Sequence, residues 1–346
     1  LDSALSTWDS GSRPLAWFGL FEGSQLVLRK DLEAGLRREP GGFVASPQNW
    51  RPSMQRSDYT GKVEQIKHYL ASGESYQVNL TFKLLGGASR NNLGMFLDIL
   101  SDYRLNYSSY LSTSQFTIIS GSPELFFELS DERILTRPMK GTERRGHTIE
   151  EDDYLVEWLK VSEKNRAENL MIVDMIRNDL GKICEPGTVR VRSLFDVERY
   201  WTVLQMTSTV EGTSSDSFAE IMAALFPCAS ITGAPKVRTM EIIKELEAAP
   251  RGVYTGCIGY LLPQGRAKFS VAIRTAWVEA DCSQAEYGVG GGVVWDSDAD
   301  KEYEECLLKA GTLWTVVPEF DLLETMLWEG ETGYFLLDRH LQRVAG

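Results

Sequence analysis

Histidine is nearly missing from this chain: His68, His147 and His340 are the only three in 346 residues, and they stand in unrelated contexts. A zinc centre or a Ser-His-Asp machine is hard to assemble from so few. Catalysis must then run on carboxylates, lysines, arginines or a hard metal ion. Cysteine is sparse as well. Cys184, Cys228, Cys257, Cys282 and Cys306 are odd in number, scattered and without a CxxC, which reads as buried or inert thiols in a reducing cytoplasm. No run approaches the roughly 18 apolar residues that span a bilayer, and the N-terminus lacks the basic-then-apolar layout of a secretory signal. Excess positive charge is missing too: the net charge is −13, which argues against nucleic acid or an anionic membrane as partner. A small anionic substrate stays open, provided a local cationic pocket or a metal receives it.

What is present is an ordinary globular composition, 43% hydrophobic and 25% charged. Residues 1–58 mix short apolar stretches with Pro and Gly breaks and read as part of a β-rich region. Helical spacing covers Thr60–Leu70 and ends at Gly73. Tyr76, Val78, Leu80 and Phe82 alternate like a half-buried strand. Strands Phe116–Ile119 and Leu125–Leu129 lead through a Ser130-Asp131-Glu132 turn into Ile134-Leu135 and an Arg137–Thr142 loop. One long helix is expected from about Glu150 to Leu180, two strands within Val189–Val210, and helices at Ser217–Leu225 and Pro235–Leu246. A three-stranded meander is expected over Val253–Val294, then a helix from about Ser297 to Leu313. The sum is an α+β protein: antiparallel β-sheets packed as a sandwich-like core and flanked by helices. The chain divides into 1–58, a catalytic region 59–317, and a segment 318–346 whose pattern restarts after Pro318.

Several residues are placed where they could carry chemistry. Glu302 and Glu305 are three apart on the last expected helix and share a face, and Glu168 lies on the long helix. Three carboxylates from two helices can hold Mg²⁺; taken singly, each reads first as a solvated helix face. Gly290, Gly291 and Gly292 in a strand either admit a ligand closely or mark a bulge. Arg274, read as mid-strand on the small-residue face of Ala272 and Ala276, suits a carboxylate clamp or a salt bridge. Lys309 is either an i,i+4 partner of Glu305 or a contact for a substrate carboxylate. Thr232-Gly233-Ala234-Pro235 reads as a helix start able to hold an anion or hydroxyl. If the strands pair through the 130–132 turn, Glu124 and Lys140 reach the same end of the hairpin, making an amine and a carboxyl available as nucleophile and acid/base.

From about Gly61 to Val317 the chain resembles the chorismate-binding family of anthranilate, aminodeoxychorismate, isochorismate and salicylate synthases. The motifs are ESYQVNL at 74–80, Ser120–Glu124, RAENLMIVDMIRND at 166–179, Ser230–Lys236, Arg251–Tyr260, Arg274, Gly290–Gly292 and Glu302–Lys309. The resemblance implies the anthranilate synthase component I-like fold. It implies Mg²⁺ held by Glu168, Glu302 and Glu305, with Arg274 and Tyr254 toward the enolpyruvyl side of chorismate. Lys309 and the Gly290–Gly292 amides would meet a carboxylate, and Thr232 and Gly233 would lie near the ring hydroxyl. Lysine in Pro138-Met139-Lys140-Gly141-Thr142 matches the aminodeoxychorismate branch, where anthranilate synthases have alanine. The implied reaction is attack of neutral Lys140 on C2 as the 4-hydroxyl leaves, then ammonia entering at C4. Glu124 serves as acid/base, and a glutamine amidotransferase subunit supplies the ammonia. Gln205, where the family often has histidine, fits an enzyme that keeps its pyruvyl group, and Asn165 replaces a second carboxylate near the metal.

The tail, with Leu323-Glu324-Thr325-Met326 and Leu337–Arg343, resembles the start of a pyridoxal-phosphate-dependent aminodeoxychorismate lyase. The cofactor lysine is not in it, so a synthase–lyase fusion is expected, with no lyase activity in these residues. Two alternatives stay open: an anthranilate synthase component I, and a non-catalytic subunit that binds chorismate or docks an amidotransferase.

Overall fold

The structure is a computed structural model. It describes residues 5, 7–9, 11, 13–36, 50–86, 92–100, 105–200, 203–281, 284–311, 324–330 and 333–345. Its elements run α1 (Arg29–Leu36), β1 (Arg51–Pro52), α2 (Arg56–Ala71), β2 (Gln77–Gly86), α3 (Asn92–Leu100), β3 (Tyr107–Ser112) and β4 (Phe116–Ser122). Next come β5 (Leu125–Ser130), β6 (Arg133–Arg137), β7 (Met139–Arg144), α4 (Ile149–Val161), α5 (Glu163–Leu180), β8 (Arg190–Arg199) and β9 (Val203–Thr213). Then follow α6 (Phe218–Leu225), β10 (Gly233–Ala234), α7 (Lys236–Leu246), β11 (Cys257–Leu261), β12 (Ala267–Val271), β13 (Thr275–Glu279), β14 (Ala285–Val293) and α8 (Ala299–Lys309). A separate small unit, Val316–Gly346, contains β15 (Trp328–Glu329), β16 (Gly333–Tyr334) and α9 (Leu337–Ala345). Within it, Glu324 accepts from Arg343 and pairs with His340; the restart after Pro318 falls, up to residue 323, outside the described residues.

Two antiparallel sheets carry the large unit. The first has the order β1-β2-β14-β13-β4-β3 with β10 on β2, and the second β11-β12-β5-β6-β9-β7 with β8 on β9. One apolar core joins the first sheet to α2, α3, α7 and α8 through Tyr59, Ile66, Leu80, Leu97, Ile242 and Tyr303. A second joins the other sheet to α5 and α6 through Phe127, Ile134, Ile172, Ile176 and Ile221. Each sheet thus buries apolar side chains against its own helices, the expected α+β architecture.

Two of the chain's crossings between the sheets lie side by side. β4 ends at Ser122 in the first sheet and β5 begins at Leu125 in the second; β12 ends at Val271 and β13 begins at Thr275. The crossings are stitched together by Val271 N–H to Glu124 O at 3.1 Å, Gly121 N–H to Arg274 O at 2.9 Å, and Ser122 Oγ to Val271 O at 2.6 Å.

Several expectations change here. The 253–294 meander is four strands shared between two sheets, because the run Phe269–Thr275 is broken at Ala272–Arg274, where Arg274 has φ +50°. Arg274 is therefore at a kink and not mid-strand. The single helix expected over 150–180 is two, since Ser162 leaves helical geometry (ψ 111°) and caps α5 by accepting from Asn165 N–H. β2 is buried on both faces over most of its length, with Tyr76 exposed just before it. The Arg137–Thr142 loop is largely strand β7, and among the described residues of 1–58 the only strand is β1. The four described cysteines are free thiols, and Cys282 lies outside the described residues.

Candidate active site

Lys140 owes its position to a bulge. β7 pairs with β9 as Met139↔Thr207 and Thr142↔Gln205, and the register shifts between these pairs, at Lys140–Gly141. A bulge re-aims the side chain it carries. Gly141 (φ +94°) supplies backbone geometry that other residues adopt only under strain. The bulge is held from three directions: Asn169 Nδ2 donates to Lys140 O at 3.2 Å, Gln205 Nε2 to Gly141 O at 2.9 Å, and Thr142 Oγ1 to Gln205 Oε1 at 3.0 Å. Gln205, flagged only for what it replaces, thus clamps the lysine's strand.

Glu124 stands at the sheet crossing, 3% exposed. The β5–β6 hairpin turns through Asp131 and Glu132, both at positive φ, and pairs Leu125 with Arg137. Glu124 and Lys140 therefore share one end of the hairpin. Burial pushes the Glu124 carboxyl up to about 7, against Ser230, the Lys140 charge and the Met139 N–H, all of which favour the ionised form. Burial moves the Lys140 amine the other way, below its ordinary value; Glu168 opposes the shift most strongly and the like charge of Lys309 reinforces it. An acid held protonated toward neutrality beside an amine biased toward neutrality is a pair matched for proton transfer.

The opposite wall is β14. β13 pairs with it only at Ala285–Tyr287, so beyond Tyr287 the strand has a partner, β2, on one edge only. Side chains there would collide with the residues that face the strand. A Cβ at Gly292 would lie 2.7 Å from Lys140 Nζ and 2.9 Å from Gln77 Nε2, and one at Gly288 would lie 2.0 Å from Tyr254 Cγ. Gly288 and Gly292 are thus the floor on which Tyr254, Gln77 and Lys140 approach the strand. Tyr254 is buried, which raises its hydroxyl and keeps it protonated. Gly291 faces helix α8: a Cβ there would meet Glu302 Oε2 at 3.1 Å and Lys309 Nζ at 3.8 Å. Lys309 donates to Gly290 O at 3.1 Å and pairs with Glu305 at 2.9 Å.

Among the described residues, four buried side-chain polar atoms have no hydrogen-bond partner: Gln77 Nε2 and Oε1, Arg274 Nη1 and Arg137 Nε. Buried polar atoms are nearly always paired, so such orphans mark places where a polar ligand would be welcomed. Gln77, fully buried and opposite Lys140 across Gly292, was overlooked in the sequence although it lies within the 74–80 motif. Asn169 and Ser230, which fix Lys140 and Glu124, were overlooked likewise. Thr232 does not cap α7, because Pro235 occupies the cap position. Its hydroxyl donates to Cys228 O at 3.1 Å, and Gly233 pairs with Val78 beside Gln77.

The acidic residues divide. Glu302 and Glu305 are electrostatic neighbours: burial raises Glu302 and Glu305's charge adds to the rise. For Glu305 burial also acts upward, but Lys309 and Lys140 outweigh it and hold the carboxyl below its usual value. Glu168 acts on Lys140. Among the described residues, no three acidic, cysteine or histidine side chains stand close enough together to hold one metal ion. Two like-charged carboxylates still fit Mg²⁺, which binds through one or two of them and fills its shell with water and substrate oxygens.

Residues 23–315 match the family model described as chorismate binding enzyme. The chain belongs to the chorismate-binding enzymes. Among curated members it is 41% identical over 277 residues to the chloroplastic aminodeoxychorismate synthase of Arabidopsis thaliana, covering 78% of this chain and 30% of that one. It is 40% identical over 277 residues to aminodeoxychorismate synthase component 1 of Bacillus subtilis (strain 168), covering 80% and 57%. It is 39% identical over 269 residues to anthranilate synthase component 1 of Aquifex aeolicus (strain VF5), covering 77% and 54%. The match thus spans between 30% and 57% of the length of these relatives. The crystal structure of anthranilate synthase component I from Streptococcus pneumoniae TIGR4 superposes with a TM-score of 0.73 at 31% identity, covering 84% of this chain and 67% of that one. The fold is anthranilate synthase component I-like.

Proposed function

We propose that this chorismate-binding enzyme makes 4-amino-4-deoxychorismate from chorismate and ammonia in the cytoplasm, for para-aminobenzoate and folate synthesis. The ammonia would come from a glutamine amidotransferase partner. The observation that carries the reading is Lys140 itself: an amine lowered by burial, re-aimed by a bulge, at the same end of a hairpin as a carboxyl raised to about 7.

The neutral Lys140 amine adds to C2 of the ring. Both ring double bonds shift by one position, C1=C2 to C1=C6 and C5=C6 to C4=C5, the C4–O bond breaks, and the Glu124 proton leaves with the departing hydroxyl as water. Glu124, now a carboxylate, takes the surplus proton from the alkylated nitrogen. Ammonia then bonds to C4, both double bonds return, and the C2–N bond breaks as Glu124 gives its proton to the lysine nitrogen and then takes the surplus proton from the new ammonium, restoring Lys140 and the protonated acid. Splitting one displacement in two lowers each barrier. Gln77 and Arg274 offer their unpaired donors, and Lys309 a cation, to the substrate's polar groups. Glu302 and Glu305 would hold Mg²⁺, with Glu168 as the third expected carboxylate, and the ion would supply positive charge for a ring carboxylate.

Incubation of the purified chain with chorismate, Mg²⁺ and an ammonium salt tests this, with products read by liquid chromatography and mass spectrometry. Formation of 4-amino-4-deoxychorismate with no pyruvate supports it. Fluorescent anthranilate with stoichiometric pyruvate would establish the anthranilate synthase reading, which relatives of similar identity keep in view. Chorismate binding with no product would leave a binding subunit.

A further inference from the structure

Behind Glu124 lies a hydrogen-bond chain that the reaction above does not use. Ser230, 5% exposed, donates from Oγ to Glu124 Oε1 at 2.7 Å, and Cys228 Sγ is 3.2 Å from the same Oγ. A hydroxyl has one proton. With that proton directed at Glu124, Ser230 can meet Cys228 only as acceptor, so the order is Cys228 S–H to Ser230 O–H to carboxylate. Burial, and then the Glu124 charge, push the Cys228 thiol up to about 12, so it remains a donor throughout the working pH range.

The turn that bears Ser230 is anchored by Arg251. Arg251 Nη1 donates to Ile231 O at 2.9 Å, and Arg251 is held by Glu247 at 2.7 Å. On the far side, Glu124 receives the Met139 N–H, one residue before Lys140. The charged and titratable groups facing Glu124 are Lys140 on β7 and Cys228 on the turn. Glu124 is therefore suspended between a fixed hydroxyl and the backbone of the lysine's own strand.

Resting on the proposed reaction, we propose that Ser230 is the positioning residue of Glu124, fixing one carboxyl oxygen so that the carboxyl faces the reacting atoms and setting the pH at which it releases its proton, with Cys228 as the donor behind it. Ser230 touches no reacting atom. A donor to a carboxylate favours the ionised form, so its loss moves Glu124 upward.

The test follows the buried Glu124 carboxyl by infrared titration of the full chain without substrate, the band being assigned by Glu124→Gln. The pH profile of kcat/KM is measured on the same proteins. Ser230→Ala is expected to raise the Glu124 titration by about one pH unit, the size of a hydrogen bond to a charged group. The basic limb of kcat/KM should move with it, kcat should fall about tenfold, and the chorismate KM should change less than about twofold. Ser230→Thr keeps the hydroxyl and should keep the titration of the parent. Cys228→Ala should shift it in the same direction by less, and serves as the reading if Ser230→Ala does not fold. An unmoved Glu124 titration in folded Ser230→Ala, or in Cys228→Ala in its place, overturns the inference. The infrared reading needs no turnover: a chain that fails to aminate chorismate but shows the shift refutes the proposed reaction and keeps the positioning role.

Discussion

Gly292→Ala isolates the position of the Lys140 amine with one methyl group. Gly292 lies in β14 opposite Asn79, and its backbone is not in the left-handed region, so alanine meets no conformational barrier there. The new Cβ would lie 2.7 Å from Lys140 Nζ and 2.9 Å from Gln77 Nε2, the free ends of two side chains that can retreat. Ordinary contact requires each to withdraw by roughly 1 Å. Alanine in place of glycine in a strand is favourable by about 0.5–1 kcal/mol, which offsets part of an overpacking cost of about 1–3 kcal/mol. The fold should therefore survive with a small change in Tm. Misplacing a reacting group by about 1 Å costs on the order of 100-fold, or about 2.7 kcal/mol in the barrier. Ammonia-dependent amination followed by mass spectrometry should show kcat reduced about 100-fold in a protein with an unchanged circular dichroism spectrum. Parental kcat in that variant would refute the placement of the amine against β14. Gly291→Ala is the internal contrast: its Cβ meets Glu302, 3.1 Å away, and should raise the Mg²⁺ concentration for half-maximal activity instead.

Four further outcomes follow from the same geometry. Lys140→Ala should retain chorismate binding by calorimetry within about threefold while turnover disappears; loss of binding with retained turnover would contradict the nucleophile's role. Glu124 contributes stability fully below its ordinary 4.5 and loses it as pH rises through about 7. Glu124→Gln should therefore gain on the parent between pH 4 and pH 8, by up to roughly 3 kcal/mol in urea unfolding; a difference independent of pH would show that the carboxyl is not displaced. Glu247 accepts from Thr81 N–H and Oγ1 at 2.9 Å and from Arg251 at 2.7 Å while 6% exposed. Glu247→Ala leaves the part-buried Arg251 guanidinium without its carboxylate and the buried Thr81 N–H without its acceptor, and should cost about 3–5 kcal/mol of unfolding free energy; a cost under about 1 kcal/mol would show the network to be idle. Chelation of Mg²⁺ should abolish turnover and leave the thermal midpoint within a few degrees, because Glu302 and Glu305 lie on a single helix, α8; unfolding on chelation would make the metal structural.

The residues of the site were legible because they cluster in motifs whose spacing survives any fold. Glu302, Glu305 and Lys309 share one face of α8, and the pairing of Leu125 with Arg137 brings Glu124 to Lys140, as strand alternation requires. What escaped notice depends on long-range geometry. Arg274 lies in an apolar run that reads as strand, and only the transfer of the chain between sheets forces its positive φ. The break at Ser162 was hidden because one serine both ends α4 and caps α5, leaving the helical periodicity nearly continuous. Gln77 looked like a strand residue among others. Its importance comes from two glycines on a strand two hundred residues away that let Lys140 and Tyr254 approach, which no local pattern encodes. Ser230 meets Glu124 only because a three-residue turn folds under the sheet crossing.

The most direct measurement is the intact mass of the enzyme mixed with chorismate and Mg²⁺ in the absence of ammonia, followed by peptide mapping. A neutral, enclosed amine at 140 acting as nucleophile predicts a species heavier by chorismate less one water, mapped to Lys140 and discharged by added ammonium. An enzyme of unchanged mass that nevertheless converts chorismate once ammonium is supplied, or an adduct mapped to any other residue, contradicts it.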